Sequence, residues 1–232
     1  MRAFVGAGRR IGGRSHGVEA SPSHTARVFL TLQYSESVGT PAREWICRAY
    51  REGDSREKAA VISALPDLDC DADGEPYLAL ALDCGRTNES DLFACLTAGN
   101  DFPSRYYSDN QFNQLVMKAA FSDFDLGQIV GLQARCNPEL ARMGMEYVDE
   151  RLAAGRSFPS SLWLAIAPCN PPGACARMLG ELQHSQPLRR QLAAAALGLT
   201  GDSRVRSFLE ERLAMESDSL TKENIESSIE RL

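Results

Sequence analysis

The sequence predicts an all-α protein, built as an irregular HEAT-like solenoid or bundle of helical hairpins. Residues that start and stop helices recur along the whole chain. Between them, apolar residues follow the spacing of a buried helical stripe, and patterns typical of strands are scarce. The chain has 232 residues, of which 44% are hydrophobic, so it can form a sizeable core.

The first residues resemble a nucleotide-binding loop without completing its pattern. The segment FVGAGRRIGG, at 4–13, supplies two of the three glycines of the dinucleotide fingerprint, and Ile11 stands at the third position. A helix should follow such a loop, yet no helical period begins before His24. We therefore predict a flexible basic arm at 1–23 and no cofactor.

Beyond the arm, helices follow one another through mostly short loops. Ser108 and Gln111 form a capping-box pattern ahead of an apolar stripe. Asn137 suits a helix N-cap, Pro138 suits the first turn, and Gly155 suits the position after the last turn. The predicted helices are 24–34, 41–52, 55–65, 76–85, 89–98, 108–121, 137–155, 159–167, 172–183, 187–199, 202–215 and 220–231.

Two segments, at 56–65 and 189–198, are charged at the start and then alanine-rich, a composition similar to that of the inner helix of HEAT-type repeats. Small residues there would permit close packing, although no fixed period links the two segments. We predict a helical domain at 24–170, which C-terminal HEAT-like helices at 171–232 continue.

Charge and cysteine content restrict the class of protein. The net charge is −6, and residues 1–35 carry five arginines and one glutamate, so the rest of the chain carries −10. An acidic body argues against nucleic acid as the main partner, and no run of 18 apolar residues exists that could span a membrane. The seven cysteines are odd in number and include no C-x-x-C, which argues against a disulfide framework and a zinc site. A reducing cytoplasm is the natural setting.

The loop DLDCDADGE, at 67–75, contains the front half of a calcium-binding loop. The twelfth position of such a loop should be a glutamate that supplies two oxygen ligands, and Leu80 stands there instead. We therefore predict a solvated acidic turn and no metal site.

Polar residues accumulate in the middle of the chain. Thr87 or Asn88 is predicted to cap the helix that follows, and Arg142 can pair with Glu146 on a helix surface. Other polar residues could line a pocket between the central helices, or Arg86 and Arg151 could tie helix ends to nearby carboxylates. The pocket candidates from the residues themselves are Arg86, Asn88, Tyr106, Asn113, Lys118, Arg135 and Arg151.

The same region resembles the EboA family of bacteria. The resembling elements are RTN at 86–88, the aromatic and proline turn at 102–107, NQLVMKAAF at 113–121, R-x-N-P-x-L-A-R-M at 135–143, E-R-x-x-A-G-R at 150–156 and the segment around Trp163. The resemblance covers about residues 1–165. The sequence departs from the family pattern at Phe112, where the family usually has tryptophan, and at 100–103, where the family usually has N-P-Y-P.

The resemblance implies an all-α protein of specialised-metabolite gene clusters, associated with the export or handling of metabolite precursors. It implies no defined reaction. Phe112 joins the ligand-binding candidates, because a tryptophan at that position could line a pocket. Partners would be a small-molecule metabolite or precursor and other proteins of the same gene cluster.

Three functional hypotheses follow. The first is a binding or accessory protein that handles a small polar or anionic precursor, because helical stacks present large concave surfaces. The second is a cofactor-free cyclase or isomerase whose Arg, Asn and Lys side chains stabilise developing negative charge. The third is a scaffold that holds no ligand.

Overall fold

The computed structural model describes residues 22–38 and 40–232, and within these the protein is all-α, as predicted. Thirteen α-helices are present in the described residues, and the only β pairing there is an isolated antiparallel bridge between Ala98 and Ile129. The helices are α1 (Pro22–Val38), α2 (Thr40–Glu52), α3 (Ser55–Ala64), α4 (Leu78–Gly85), α5 (Ser90–Thr97), α6 (Phe102–Tyr106), α7 (Asp109–Phe121), α8 (Pro138–Ala153), α9 (Trp163–Ile166), α10 (Ala174–Glu181), α11 (Pro187–Leu199), α12 (Arg206–Met215) and α13 (Ser219–Arg231).

Short 3₁₀ turns extend or join several helices. They are Leu65–Asp67, Leu126–Gln128, Ser160–Leu162, Ala167–Cys169 and Ser203–Val205. The predicted helix at 159–167 is therefore wrong in part, because only four residues of it are α-helical and 3₁₀ turns flank them. Pro168 lies within the 3₁₀ turn Ala167–Cys169, where its missing N–H prevents an α-helix from continuing.

Two of the predicted helix starts are confirmed at their caps. The Ser108 N–H donates to Oε1 of Gln111 at 2.9 Å, and the Gln111 N–H donates to Oγ of Ser108 at 3.3 Å. Asn137 caps α8 by accepting from the Leu140 N–H at 2.9 Å, and Gly155 adopts φ +64° just beyond the helix. The turn at 102–107 contains a helix, α6, that the sequence did not predict.

The described residues fall into two compact units. Unit 1 runs up to Phe112 and includes Gln128–Gly131, and unit 2 comprises Asn113–Gly127 and Leu132–Leu232. The predicted arm at 1–23 lies almost wholly outside the described residues. The predicted subdivision at 24–170 and 171–232 and the HEAT-like stacking stay predictions.

Unit 1 is organised around α3. Helix α3 packs against α1, α2 and α5, and Ile62 is fully buried. Asn100 ties this packing together from a buried position: its amide donates to the carbonyls of Ile62 and Cys95 at 2.9 Å each, and its Oδ1 accepts from the Phe102 N–H at 3.0 Å. One side chain thus links α3, α5 and α6.

The acidic loop of unit 1 is a compact turn. Oδ1 of Asp71 accepts from the N–H groups of Asp73 at 3.0 Å and Glu75 at 2.8 Å, and Gly74 adopts φ +82°. Asp69 pairs with Arg43 at 3.0 Å. Within the described residues, no cluster of three or more histidine, cysteine or carboxylate side chains is arranged to hold a metal ion.

Unit 2 is dominated by the packing of α11 against α13. The two helices approach closely at Gly198, where a Cβ would lie 2.8 Å from the Cβ of Ser228 and 2.9 Å from its Cα. Elsewhere in unit 2, α8 and α11 both pack against the short helix α9, whose Trp163 and Ile166 are buried.

A buried ion pair secures the end of unit 2. Nε and Nη2 of Arg190 each donate to Glu216 at 2.7 Å, and the two side chains are 7% and 0% exposed. Nη1 of Arg190 donates to the carbonyls of His184 and Ser185. The Arg190 guanidinium holds the pKa of Glu216 well below its ordinary value.

Of the helices described, none is both long enough and apolar enough to cross a membrane.

We expect Glu216→Gln to destabilise the protein by about 3 kcal/mol at neutral pH, because it leaves the Arg190 charge buried without a counter-charge. A lowered folded pKa means that the Glu216 contribution is complete above the unfolded pKa of about 4.3 and declines as the pH falls below it. The difference between wild type and variant should therefore narrow below about pH 4. Urea denaturation across this pH range measures it.

The matched control is Glu210→Gln, because Glu210 is 55% exposed and lies 3.9 Å from Arg206. Its effect should stay below about 1 kcal/mol at all pH values. An equal loss of unfolding free energy in the two variants would show that the buried ion pair matters no more than an exposed one.

We expect Gly198→Ala to destabilise the protein by about 1–3 kcal/mol, because α13 must shift to admit the methyl group. Gly180 in α10 is the matched control, since a Cβ there would meet no described heavy atom within 4 Å. Gly180→Ala should stabilise by up to about 1 kcal/mol through helix propensity. Thermal melts of both variants would test this, and a Gly198→Ala protein as stable as wild type would refute it.

Candidate functional site

The predicted site residues of unit 1 lie in different settings. Arg86 is exposed and lies 3.7 Å from Asp83, and Asn88 is exposed as well. Tyr106 packs on Phe102 with ring centroids 4.6 Å apart, and its hydroxyl accepts from Nη2 of Arg105 at 2.6 Å. Phe112 is fully buried in the core.

The expectation that Thr87 or Asn88 caps α5 is wrong for both residues. The helix begins at Ser90, so its N-cap is Glu89, which makes no capping hydrogen bond through its side chain. Thr87, two residues before the cap, instead accepts the Glu89 N–H on its Oγ1 at 3.1 Å. The later start of the helix places Asn88 outside the capping position.

Asn113 is the most buried polar candidate of unit 2, at 2% exposure. It forms a reciprocal amide pair with Asn137: each Nδ2 donates to the other Oδ1, at 3.1 and 2.9 Å. Asn137 also caps α8 and donates to the Arg135 carbonyl at 3.2 Å. The amide of Asn113 is therefore used to hold α7 to the start of α8.

The remaining candidates of unit 2 are also engaged. Nε of Arg151 donates to the Ser157 carbonyl at 2.7 Å, and its guanidinium lies 5.8 Å from the Tyr147 ring centroid. Lys118 and Arg135 are half-buried, and each interacts with another group. The partners described for Arg86, Tyr106, Asn113 and Arg151 all lie outside the predicted set, so the shared pocket stays a prediction.

A cleft in unit 1, which the sequence analysis missed, is a stronger candidate. Its volume is about 770 Å³, and it opens between α1, α2 and the acidic loop. Tyr34 and Trp45 form an aromatic wall, with ring centroids 4.9 Å apart and exposures of 37% and 39%. The lining residues are Tyr34, Arg43, Glu44, Trp45, Cys47, Arg48, Arg51, Asp71, Glu75 and Pro76.

The charges of this cleft are only partly neutralised. Arg43 is paired with Asp69, and the Asp71 carboxylate accepts the N–H groups of its own turn. Arg48 and Arg51, both exposed on α2, form no ion pair with any described residue. Two guanidinium groups beside an aromatic wall can bind a carboxylate or phosphate and stack on the rest of its carrier.

A second, smaller cavity adjoins this site. It has a volume of about 350 Å³ and lies between α1, α2 and α3. Trp45 and Arg48 line both cavities. Trp45 and Arg48 of α2 therefore lie at the border between the two cavities.

The acidic loop that forms one wall of the cleft rests on Tyr106. A Cβ at Gly74 would lie 2.8 Å from Cγ of the Tyr106 ring, and the φ of +82° also favours glycine. The ring of a predicted site residue thus supports the cleft wall.

A sequence signal for the cleft exists in α2. Trp45, Arg48 and Arg51 recur every three residues, and on a helix this spacing places the three side chains along one side. Ala42, Ile46 and Tyr50 form the buried stripe of the same helix. A tryptophan outside that stripe, followed by two arginines, marks the exposed face as one that could bind a partner or ligand.

Comparison with known proteins gives one match. Residues 18–167 match the family model of EboA, described as metabolite traffic protein EboA. No curated protein and no solved structure matches the chain.

We expect Asn113→Ala to destabilise the protein by about 1–3 kcal/mol, because it leaves the Asn137 amide without its partner. Asn137→Ala should cost a similar amount and also remove the α8 cap. The double variant should lose less unfolding free energy than the sum of the losses in the two single variants, because each single substitution already breaks the same amide pair. Urea denaturation of the four proteins measures this, and strict additivity would show that the pair contributes nothing.

Proposed function

The chain belongs to the EboA family, and on that premise we propose that it is an accessory protein that binds a small polar or anionic metabolite precursor. The family description, metabolite traffic protein, fits a role in handling metabolites. We place the binding site in the cleft of unit 1 and the role in a specialised-metabolite pathway. The precursor is bound and passed on without chemical change.

The observation that carries this proposal is the position of Arg48 and Arg51 beside Trp45. Concave, largely apolar sites with a few placed polar groups are typical of small-molecule binding. Guanidinium groups without a carboxylate partner among the described residues remain available to a ligand's carboxylate or phosphate. Glu44 and Glu75 on the same cleft can accept hydrogen bonds from hydroxyl or amino groups of the precursor.

The enzymatic alternative, a cofactor-free cyclase or isomerase that uses the central polar residues, has less support. Asn113, the most buried of those residues, already has its amide paired with Asn137. Reaction chemistry at these positions stays an untested alternative.

A cytoplasmic location and partner proteins from the same gene cluster complete the proposal. The seven cysteines are odd in number and include no C-x-x-C, which favours a protein of a reducing compartment.

We expect phenyl phosphate, a probe that combines an aromatic ring with a dianion, to quench the fluorescence of Trp45. The only other tryptophan, Trp163, is 1% exposed and provides a constant background. A titration of the full chain should saturate with a Kd on the order of 1 mM, equivalent to about 4 kcal/mol. Phenol and inorganic phosphate, which each lack one half of the probe, should bind more weakly.

The Arg48→Gln/Arg51→Gln double variant should lose at least tenfold in affinity for phenyl phosphate. Its stability should change by less than about 0.5 kcal/mol, because both side chains are exposed. Arg56→Gln is the matched control, since Arg56 is exposed in unit 1 and lines neither cavity. Unchanged quenching in the double variant, or equal losses in the control, would reject the cleft as the binding site.

A further inference from the structure

Cys136 and Cys169 bring two thiols together in unit 2. Their Sγ atoms lie 3.5 Å apart, although the residues are 33 positions apart in sequence. A disulfide places its sulfurs about 2.05 Å apart, so the two atoms need to approach by only about 1.5 Å. Both side chains are half-buried and retain access to small reagents.

The backbone on each side of the pair is held in place. Cys136 directly precedes Asn137, which caps α8 and pairs with Asn113. Cys169 ends the 3₁₀ turn Ala167–Cys169, which the Asn170 N–H closes by donating to the Ala167 carbonyl at 3.0 Å. Two reactive groups held at short range react far faster than the same groups free in solution.

The two thiols differ in their surroundings. The S–H of Cys136 donates to the Ala165 carbonyl at 2.8 Å. Burial, followed by the hydrogen bond with Cys169, raises the pKa of Cys136 to about 12. The S–H of Cys136 can also turn towards Sγ of Cys169, since either sulfur of this contact can act as the donor.

We propose that Cys136 and Cys169 form a reversible intramolecular disulfide by exchange with small-molecule disulfides, of which oxidised glutathione is the representative. This modification site is independent of the proposed cleft in unit 1. The Cys169 thiolate attacks one sulfur of oxidised glutathione, whose S–S bond breaks and releases the first glutathione thiolate, which is protonated by water. Sγ of Cys136 then attacks Sγ of Cys169, the mixed S–S bond breaks, and the second glutathione leaves as a thiolate that takes up the proton lost by Cys136. Two protein thiols are oxidised, and one glutathione disulfide is reduced to two thiols.

The other cysteines have different environments. Cys47, Cys84 and Cys95 are buried. Cys175, half-buried in unit 2 like the pair, donates its S–H to Oδ1 of Asn170 at 3.1 Å. Cys175 therefore provides a matched control of similar exposure in the same unit.

The test is incubation of the reduced, full-length protein with oxidised glutathione, followed by intact mass measurement and peptide mapping without reductant. Wild type should lose the mass of two hydrogen atoms and yield one cross-linked peptide pair containing Cys136 and Cys169. Dithiothreitol should restore the original mass. Cys136→Ser should stop at a single glutathione on Cys169, Cys169→Ser should leave Cys136 unmodified, and Cys175→Ser should behave as wild type.

The peptide map of the wild-type protein is a sufficient test by itself, because it does not depend on any variant folding. A persistent glutathione adduct in wild type, or a cross-link that involves any other cysteine, would overturn the proposal. So would a folded Cys136→Ser protein, verified by circular dichroism, that accumulates no more adduct than wild type.

Discussion

The rest of this structure depends on finding hydrogen-bond partners for the backbone N–H and C=O groups at the ends of its helices. Each helix leaves four N–H and four C=O groups without partners inside the helix, and the helices here span only 4 to 17 residues. A large share of the backbone therefore needs partners from side chains. Asn100 serves three such groups in unit 1, Asn137 serves the start of α8, and Arg190 holds two carbonyls before α11.

The same constraint explains how far the sequence could predict the structure. Caps such as Ser108 with Gln111 act over three residues, so their pattern is visible locally, and the α-helical class followed from many such patterns. The partner of Asn113 lies 24 positions away, and no local pattern shows that its amide is already used. The cleft depends on α1 and the acidic loop meeting the exposed face of α2, which only the tertiary fold determines.

Arg190 and the pair Arg48 and Arg51 show two contrasting settings of arginine in this protein. Arg190 is buried, and its guanidinium donates four hydrogen bonds, two of them to Glu216. Arg48 and Arg51 are exposed and form no ion pair within the described residues. The first setting fixes helices in place, and the second leaves charge available at a surface. Residue type alone does not separate them, whereas burial and partners do.

The contact between Gly74 and Tyr106 links the shape of the cleft to a residue that does not line it. The loop wall rests on the aromatic ring, so a smaller side chain at position 106 would let the wall recede and widen the opening. Under the role proposed for the cleft, a substitution at position 106 would change the size of ligand that fits without altering any lining residue. A residue behind the cleft wall would then contribute to the selectivity of related chains.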